Sequence, residues 1–180
     1  MGFDSIIAAG ISLILLIVVS YVLFSGFFAS VDSMTAAMKD ALSSKGDQIK
    51  TNISVDYDYV RTYGHNITLD MYNTGNTKII ELSGVDMIMT FSQTLNNSTE
   101  TSYWIPYVED INATGLGWTA EEITPDMINP GIWDPGEKIR CRVVLPDRPL
   151  TGTLGWLVTT APNGASSSGY FHVIQEAPLA

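Results

Sequence analysis

Residues 5–31 read SIIAAGISLILLIVVSYVLFSGFFASV, 27 residues without a charge, 16 of them Leu, Ile, Val or Phe. As a helix the run measures roughly 40 Å, whereas a bilayer core of about 30 Å needs about 20 residues. A globular helix of that length keeps a polar face. This one has none, and it is predicted to cross a membrane. The anchoring side chains are Ile6, Ile7, Ile11, Leu13, Ile14, Leu15, Leu16 and Ile17, then Val18, Val19, Val22, Leu23, Phe24, Phe27 and Phe28. A cleaved secretory signal would pair a basic start with an apolar stretch of about 7–15 residues and a small-residue cleavage site. No Lys or Arg precedes this run, so a retained anchor is expected.

Beyond the run, Val31, Met34, Met38 and Leu42 recur at helical spacing. That stripe extends the predicted helix to about Ser44, where Ser43, Ser44 and Gly46 supply a stop. Two readings of the stripe stand side by side. It packs on the chain's own domain, or it forms a seam between subunits. Residues 1–46 therefore read as anchor helix and stalk, and residues 47–180 as a separate domain.

The composition follows from this division. The chain has 180 residues, 19 acidic and nine basic side chains and a net charge of −10. It is 46% hydrophobic and 16% charged, and among the charged residues only Asp4 precedes Asp32. The low charged share is thus an uncharged anchor diluting an acidic domain. Such acidity argues against nucleic acid, which demands clustered Lys and Arg. A lone cysteine, Cys141, excludes an intrachain disulfide and a Cys-based zinc site.

Two rules of topology conflict. Lys39, Lys45 and Lys50 follow the anchor and would hold the larger domain in the cytoplasm. They are interleaved with Asp32, Asp40 and Asp47, which weakens that bias. Against it stand five Asn-x-Ser/Thr sequons, at Asn52, Asn66, Asn96, Asn97 and Asn112, where composition alone would give roughly two. An exterior domain is expected, and the absence of disulfides fits an archaeal or bacterial envelope.

From Ile49 onward the period changes to two. Ile53, Val55, Tyr57 and Tyr59 alternate with polar residues, as do Ile67, Leu69 and Met71. Val85, Met87, Met89 and Phe91 repeat the pattern, followed by Ile139, Cys141, Val143 and Leu145. Further strands are expected at Leu154–Val158 with Leu154, Trp156 and Val158 on the apolar side, at Tyr103–Val108, and at Tyr170–Ile174. Turns fall at Asn73-Thr74-Gly75-Asn76, Ser83-Gly84, Asp134-Pro135-Gly136 and Pro162-Asn163-Gly164. The fold class is mainly β: an immunoglobulin-like antiparallel sandwich preceded by a long N-terminal transmembrane helix. Residues 92–137 are less regular, and Trp118 and Trp133 lie among acidic neighbours there. They are the candidate partner surface, unless they fold back over the open end of the sandwich.

Catalytic chemistry finds no foothold. His65 and His172 are the only histidines, and neither sits in a nucleophile motif with Cys141 or a serine. Asp56 and Asp58 share one face of an expected strand, but two carboxylates are too few for a Ca²⁺ site. No metal, no cofactor and no enzymatic activity are expected.

An N-terminal helix opening Met1-Gly2-Phe3-Asp4-Ser5-Ile6-Ile7 and leading into a β-sandwich resembles the archaellum accessory proteins of the FlaF and FlaG families. These are membrane-anchored relatives of type IV pilin-like proteins. Asn73-Thr74-Gly75-Asn76-Thr77, Trp133-Asp134-Pro135-Gly136-Glu137 and Thr160-Ala161-Pro162-Asn163-Gly164 extend the resemblance over nearly the whole chain. The Met-Gly-Phe start favours FlaF. The resemblance implies a stator of the archaeal motility apparatus, its helix in the cytoplasmic membrane and its sandwich on the surface-layer lattice, often as a dimer. Filament-forming relatives carry a short basic leader ending in Gly, and no basic residue precedes Gly2 here. Two alternatives remain: an archaellin or pilin-type filament subunit, and a surface receptor or carbohydrate-binding module.

Overall fold

A computed structural model describes residues 3–93, 100–113 and 115–174. Helix α1 spans Phe3–Lys50. It is followed by strands β1 (Ile53–Val55), β2 (Arg61–Tyr63), β3 (Asn66–Asn73), β4 (Asp86–Ser92), β5 (Glu100–Ile105), β6 (Gly117–Thr124), β7 (Lys138–Val144), β8 (Leu154–Thr160) and β9 (Ser166–His172). The chain divides into two compact units, Met1–Lys45 and Gly46–Ala180.

The first unit is helix alone. Every large apolar side chain from Ile6 to Phe28 is exposed, on all sides of the axis. By length and composition α1 is able to cross a membrane.

The second unit begins with the last turn of α1, so the helix outlasts its expected stop near Ser44. Gly46 costs a helix only about 1 kcal/mol relative to Ala, and the real terminus lies where other groups take over the last carbonyls. Thr51 Oγ1 donates to the Asp47 carbonyl at 2.9 Å. The Asn76 amide donates to the Lys50 carbonyl at 2.7 Å, and the amides of Thr74 and Gly75 both donate to the Asn52 carbonyl. A Cβ on Gly75 would collide with the backbone at Lys50 and Asn52. The Asn73–Asn76 turn therefore forms a collar where the chain leaves the helix.

Two antiparallel sheets face each other across one core. The first has the order β1-β3-β7-β6, with β2 also paired to β3; the second has the order β5-β4-β8-β9. Alternation places Ile67, Leu69 and Met71 of β3, Met87, Met89 and Phe91 of β4, and Ile139, Cys141 and Val143 of β7 inside. Burying each such side chain stabilises the fold by about 1.5–3 kcal/mol.

Four expectations are corrected. Ile53–Tyr59 is not one strand: Asp56 accepts the Asp58 amide and caps a short 3₁₀ turn at Tyr57–Tyr59. A local side-chain bond of this kind competes with the ladder, so Asp56 and Asp58 share no strand face. In β8 the inward residues are Gly155, Leu157 and Thr159, which turns Leu154, Trp156 and Val158 outward. The last strand begins at Ser166 rather than Tyr170. The irregular stretch between 92 and 137 contains a full strand, β6, with a bulge between Ala120 and Glu122.

Candidate functional site

The two outer faces of the sandwich differ in chemistry. On the first sheet Asp70 of β3 lies opposite Arg140 of β7 in register. Its carboxylate accepts from Arg140 Nε and Lys138 Nζ, each at 3.1 Å, and the residue is 4% exposed. Burial alone would raise the pKa of Asp70. The hydrogen bonds and charges of Arg140 and Lys138 together outweigh it and hold the group below its ordinary value. Arg142 Nε lies 3.3 Å from Glu121, and the Arg61 guanidinium sits 4.8 Å above the Tyr59 ring. This face carries a set of ion pairs.

The second sheet presents an apolar band instead. Across the strands, Trp104, Ile88, Val158 and Ser168 are aligned in one row, and Ser102, Thr90, Trp156 and Tyr170 in the next. Trp104 is 59% exposed and Tyr170 65%, with Ile88 and Leu154 also exposed. The rings are held in place. Trp104 Nε1 donates to Asp86 at 3.0 Å, and Trp156 meets Tyr170 edge to face at 4.5 Å between centroids. Thr90 and Ser102 share a hydrogen bond of 2.7 Å, and Asp86, Glu100 and His172 form an exposed polar rim. An aromatic centre with a polar rim is the composition of a protein interaction surface.

Trp118 and Trp133, the expected partner surface, are both 0% exposed. Trp118 opens β6 with its ring against Tyr107, 5.0 Å between centroids. Trp133 Nε1 donates to the Glu137 carbonyl at 3.0 Å, so its own turn folds it inward. Both belong to the core, and the outward aromatics Trp104, Trp156 and Tyr170 lie on three expected strands, one of which, β8, faces the other way from its expected apolar side. A signal existed: Gly155 is in register with Phe171, and a Cβ there would collide with the Phe171 ring. A glycine opposite a large apolar residue marks the inner face and turns Trp156 outward.

Of the sequons, Asn52, Asn66 and Asn112 are exposed. Asn52 Nδ2 already donates to Thr74 Oγ1 at 2.7 Å, and Asn112 Oδ1 accepts from Arg142 at 3.2 Å. Asn96 and Asn97 lie outside the described residues. Cys141 is buried, and burial first, then the charges of Asp70 and Glu121, raise its thiol well above the ordinary range. Among the described residues no three of His, Cys, Asp and Glu converge where they could hold a metal ion.

A model of the archaeal-type flagellin family matches residues 2–171, from the start of the apolar helix to the last strand. The chain belongs to the archaeal-type flagellin family. Its members are structural archaellum components and not enzymes. An uncharacterized protein of Archaeoglobus fulgidus is 28% identical over 176 residues, 96% of this chain and 98% of the relative. The archaeal flagellum of Methanospirillum hungatei strain JF1 has a similar fold, with a TM-score of 0.54 and 18% identity over 98% of this chain and 96% of its own. The archaellum periplasmic stator protein complex FlaF and FlaG from Sulfolobus acidocaldarius matches at a TM-score of 0.50 and 17% identity, over 67% of this chain and 89% of its own. This family member is an archaellum-related structural protein of the cell envelope.

Proposed function

We propose that this chain is a FlaF-type stator component of the archaellum, anchored by α1 in the cytoplasmic membrane with its sandwich outside the cytoplasm. The sandwich binds the surface-layer lattice and other archaellum components through the outer face of the second sheet, and the protein works as a homo-oligomer. The observation that carries this reading is one chain joining a helix apolar on every side from Ile6 to Phe28 to a sandwich with one aromatic outer face. An all-round apolar helix needs lipid or a surrounding bundle, and a fixed aromatic band with a polar rim is suited to a partner. The sequons support an exterior domain. The likeness to a periplasmic stator complex supports the stator role over that of a receptor or carbohydrate-binding module.

The test uses the full chain in mild detergent with isolated surface-layer protein. Binding is expected, with loss in Trp104→Ser and Tyr170→Ser and retention in Thr68→Ala on the opposite outer face. Absence of binding by the unaltered chain at neutral and acidic pH overturns the stator reading.

A filament subunit is the second reading. It is favoured by the flagellum's fold covering 98% of this chain, helix included. Its helix would be covered by neighbouring helices instead of lipid. Recovery of the native protein in sheared filaments, with a mature start at Phe3, would select it; recovery with the membranes and an intact Met1 or Gly2 supports the anchor.

A further inference from the structure

The two sheets divide the charges of the strands unequally. Arg61, Lys138, Arg140 and Arg142 all belong to the first sheet, whereas β4, β5, β8 and β9 contain no Lys or Arg. The outward positions of the second sheet carry hydroxyls instead, at Thr90, Ser92, Ser102, Thr160, Ser166 and Ser168, with carboxylates at Asp86 and Glu100. Among them Thr90, Glu100, Leu154, Trp156 and Tyr170 line an open groove of about 410 Å³. Small-molecule sites measure about 300–1,000 Å³. The two rings of the groove stand at 60° to each other, and Tyr170 is well exposed.

This composition selects among partners. An anionic one, phosphate-bearing or acidic, would meet two carboxylates and no cation. Aromatic rings suit a protein and a sugar alike, but protein interfaces are enriched in Arg and depleted in Ser. Here the reverse holds. A neutral polyhydroxylated ring matches both halves of the groove. Its C–H face stacks on the negative π face of an aromatic side chain. Its hydroxyls find an acceptor in the Glu100 carboxylate and further partners in Thr90 and Ser102, which lie 2.7 Å apart, oxygen to oxygen.

We infer that this groove binds a neutral saccharide, the group by which the surface-layer lattice is held. Trp156 and Tyr170 form the stacking platform, and Glu100, Thr90 and Ser102 supply the hydrogen bonds. The inference rests on the proposed docking of the lattice on this outer face and names the chemical class gripped there.

The test uses the full chain in mild detergent. Its probes are oligosaccharides released from isolated surface-layer protein by hydrazinolysis, parted by anion exchange into neutral and acidic fractions and labelled with a neutral fluorophore. The neutral fraction is expected to bind, read as a rise in anisotropy, and to block capture of surface-layer protein. Tyr170→Ala and Glu100→Gln should each weaken that binding about ten-fold, through loss of a stacking ring and of a charge-assisted hydrogen bond. Tyr170→Phe keeps the ring and should stay near the unaltered chain. Equal midpoints of chemical denaturation show that the variants are folded. No binding of the neutral fraction, equal binding of the acidic one, or undiminished capture of periodate-treated surface-layer protein overturns the saccharide. Each of these leaves the stator reading standing as long as intact surface-layer protein is captured. Saccharide binding without any such capture overturns the stator reading and leaves the sugar site in place.

Discussion

Asn73 Nδ2 donates to the carbonyl of Trp133 at 3.1 Å and to that of Thr77 at 2.9 Å, from a position with no solvent exposure. The same residue's backbone exchanges bonds with Glu137 and Gly136. Asn73 thus ties the collar around the end of α1 to the turn that folds Trp133 into the core. Asn73→Ala leaves buried carbonyls without a donor, at about 1–3 kcal/mol each. The expected outcome is a loss of about 2–4 kcal/mol in chemical denaturation, with Asn73→Asp at least as harmful because it removes the donor and buries a charge.

How legible this fold is in the sequence depends on how far local pattern and burial agree. The inner face of β3 is plain because Ile67, Leu69 and Met71 alternate without interruption. In β6 the inward residues are Trp118, Ala120 and Ile123, and the bulge after Ala120 inserts one residue. A period of two with one slip looks like no period at all, so this strand was hidden and Trp118 read as a loop aromatic. The Ser-Ser-Ser-Gly start of β9 carries no apolar signal either. Its Gly169 is there because the Tyr57 ring occupies the place of a Cβ. The aromatic outer face is not legible from any one strand alone, for a related reason. A half-buried strand with apolar residues on both sides does not say which side is in, and the deciding contact between Gly155 and Phe171 joins two strands.

The Asp70 cluster predicts an acid-sensitive fold. Asp70 titrates below its unfolded value, since Arg140 and Lys138 together outweigh burial. Its contribution is therefore present above about pH 4 and is lost as pH falls through the folded-state value. Stability curves of the unaltered protein and Asp70→Asn should differ by about 1–3 kcal/mol at pH 7. They should converge once pH falls below the folded-state value of Asp70, where both are neutral at this position. A constant gap across that range would mean that the ion pairs contribute nothing beyond packing.

Cys141 is predicted to be inert in the folded protein. It is enclosed on the inner face of β7 and its thiol resists ionisation, while the thiolate is the reactive species. Maleimide labelling at neutral pH should follow the unfolding transition in denaturant and be absent below it. Labelling under native conditions at the rate of a free thiol would contradict the packing of β7. The Cys141→Ala variant should cost about 1 kcal/mol, the scale of a small cavity.

The two classes of tryptophan give the sharpest contrast. Trp118 and Trp133 fill the core, and truncating either to Ala should cost about 3–5 kcal/mol. Trp104 and Trp156 lie on the outer face of the second sheet, where removal forfeits chiefly the Asp86 hydrogen bond or the edge contact with Tyr170. Their loss should cost no more than about 1 kcal/mol. Partner binding should order the same four residues the other way. Trp104→Ala and Trp156→Ala should abolish capture of the proposed surface-layer partner while unfolding stays near that of the unaltered chain. A Trp118→Ala variant, held folded at low temperature, should still bind. If binding instead declined in step with stability across all four variants, the aromatic face would be an ordinary sheet surface and the partner would dock elsewhere.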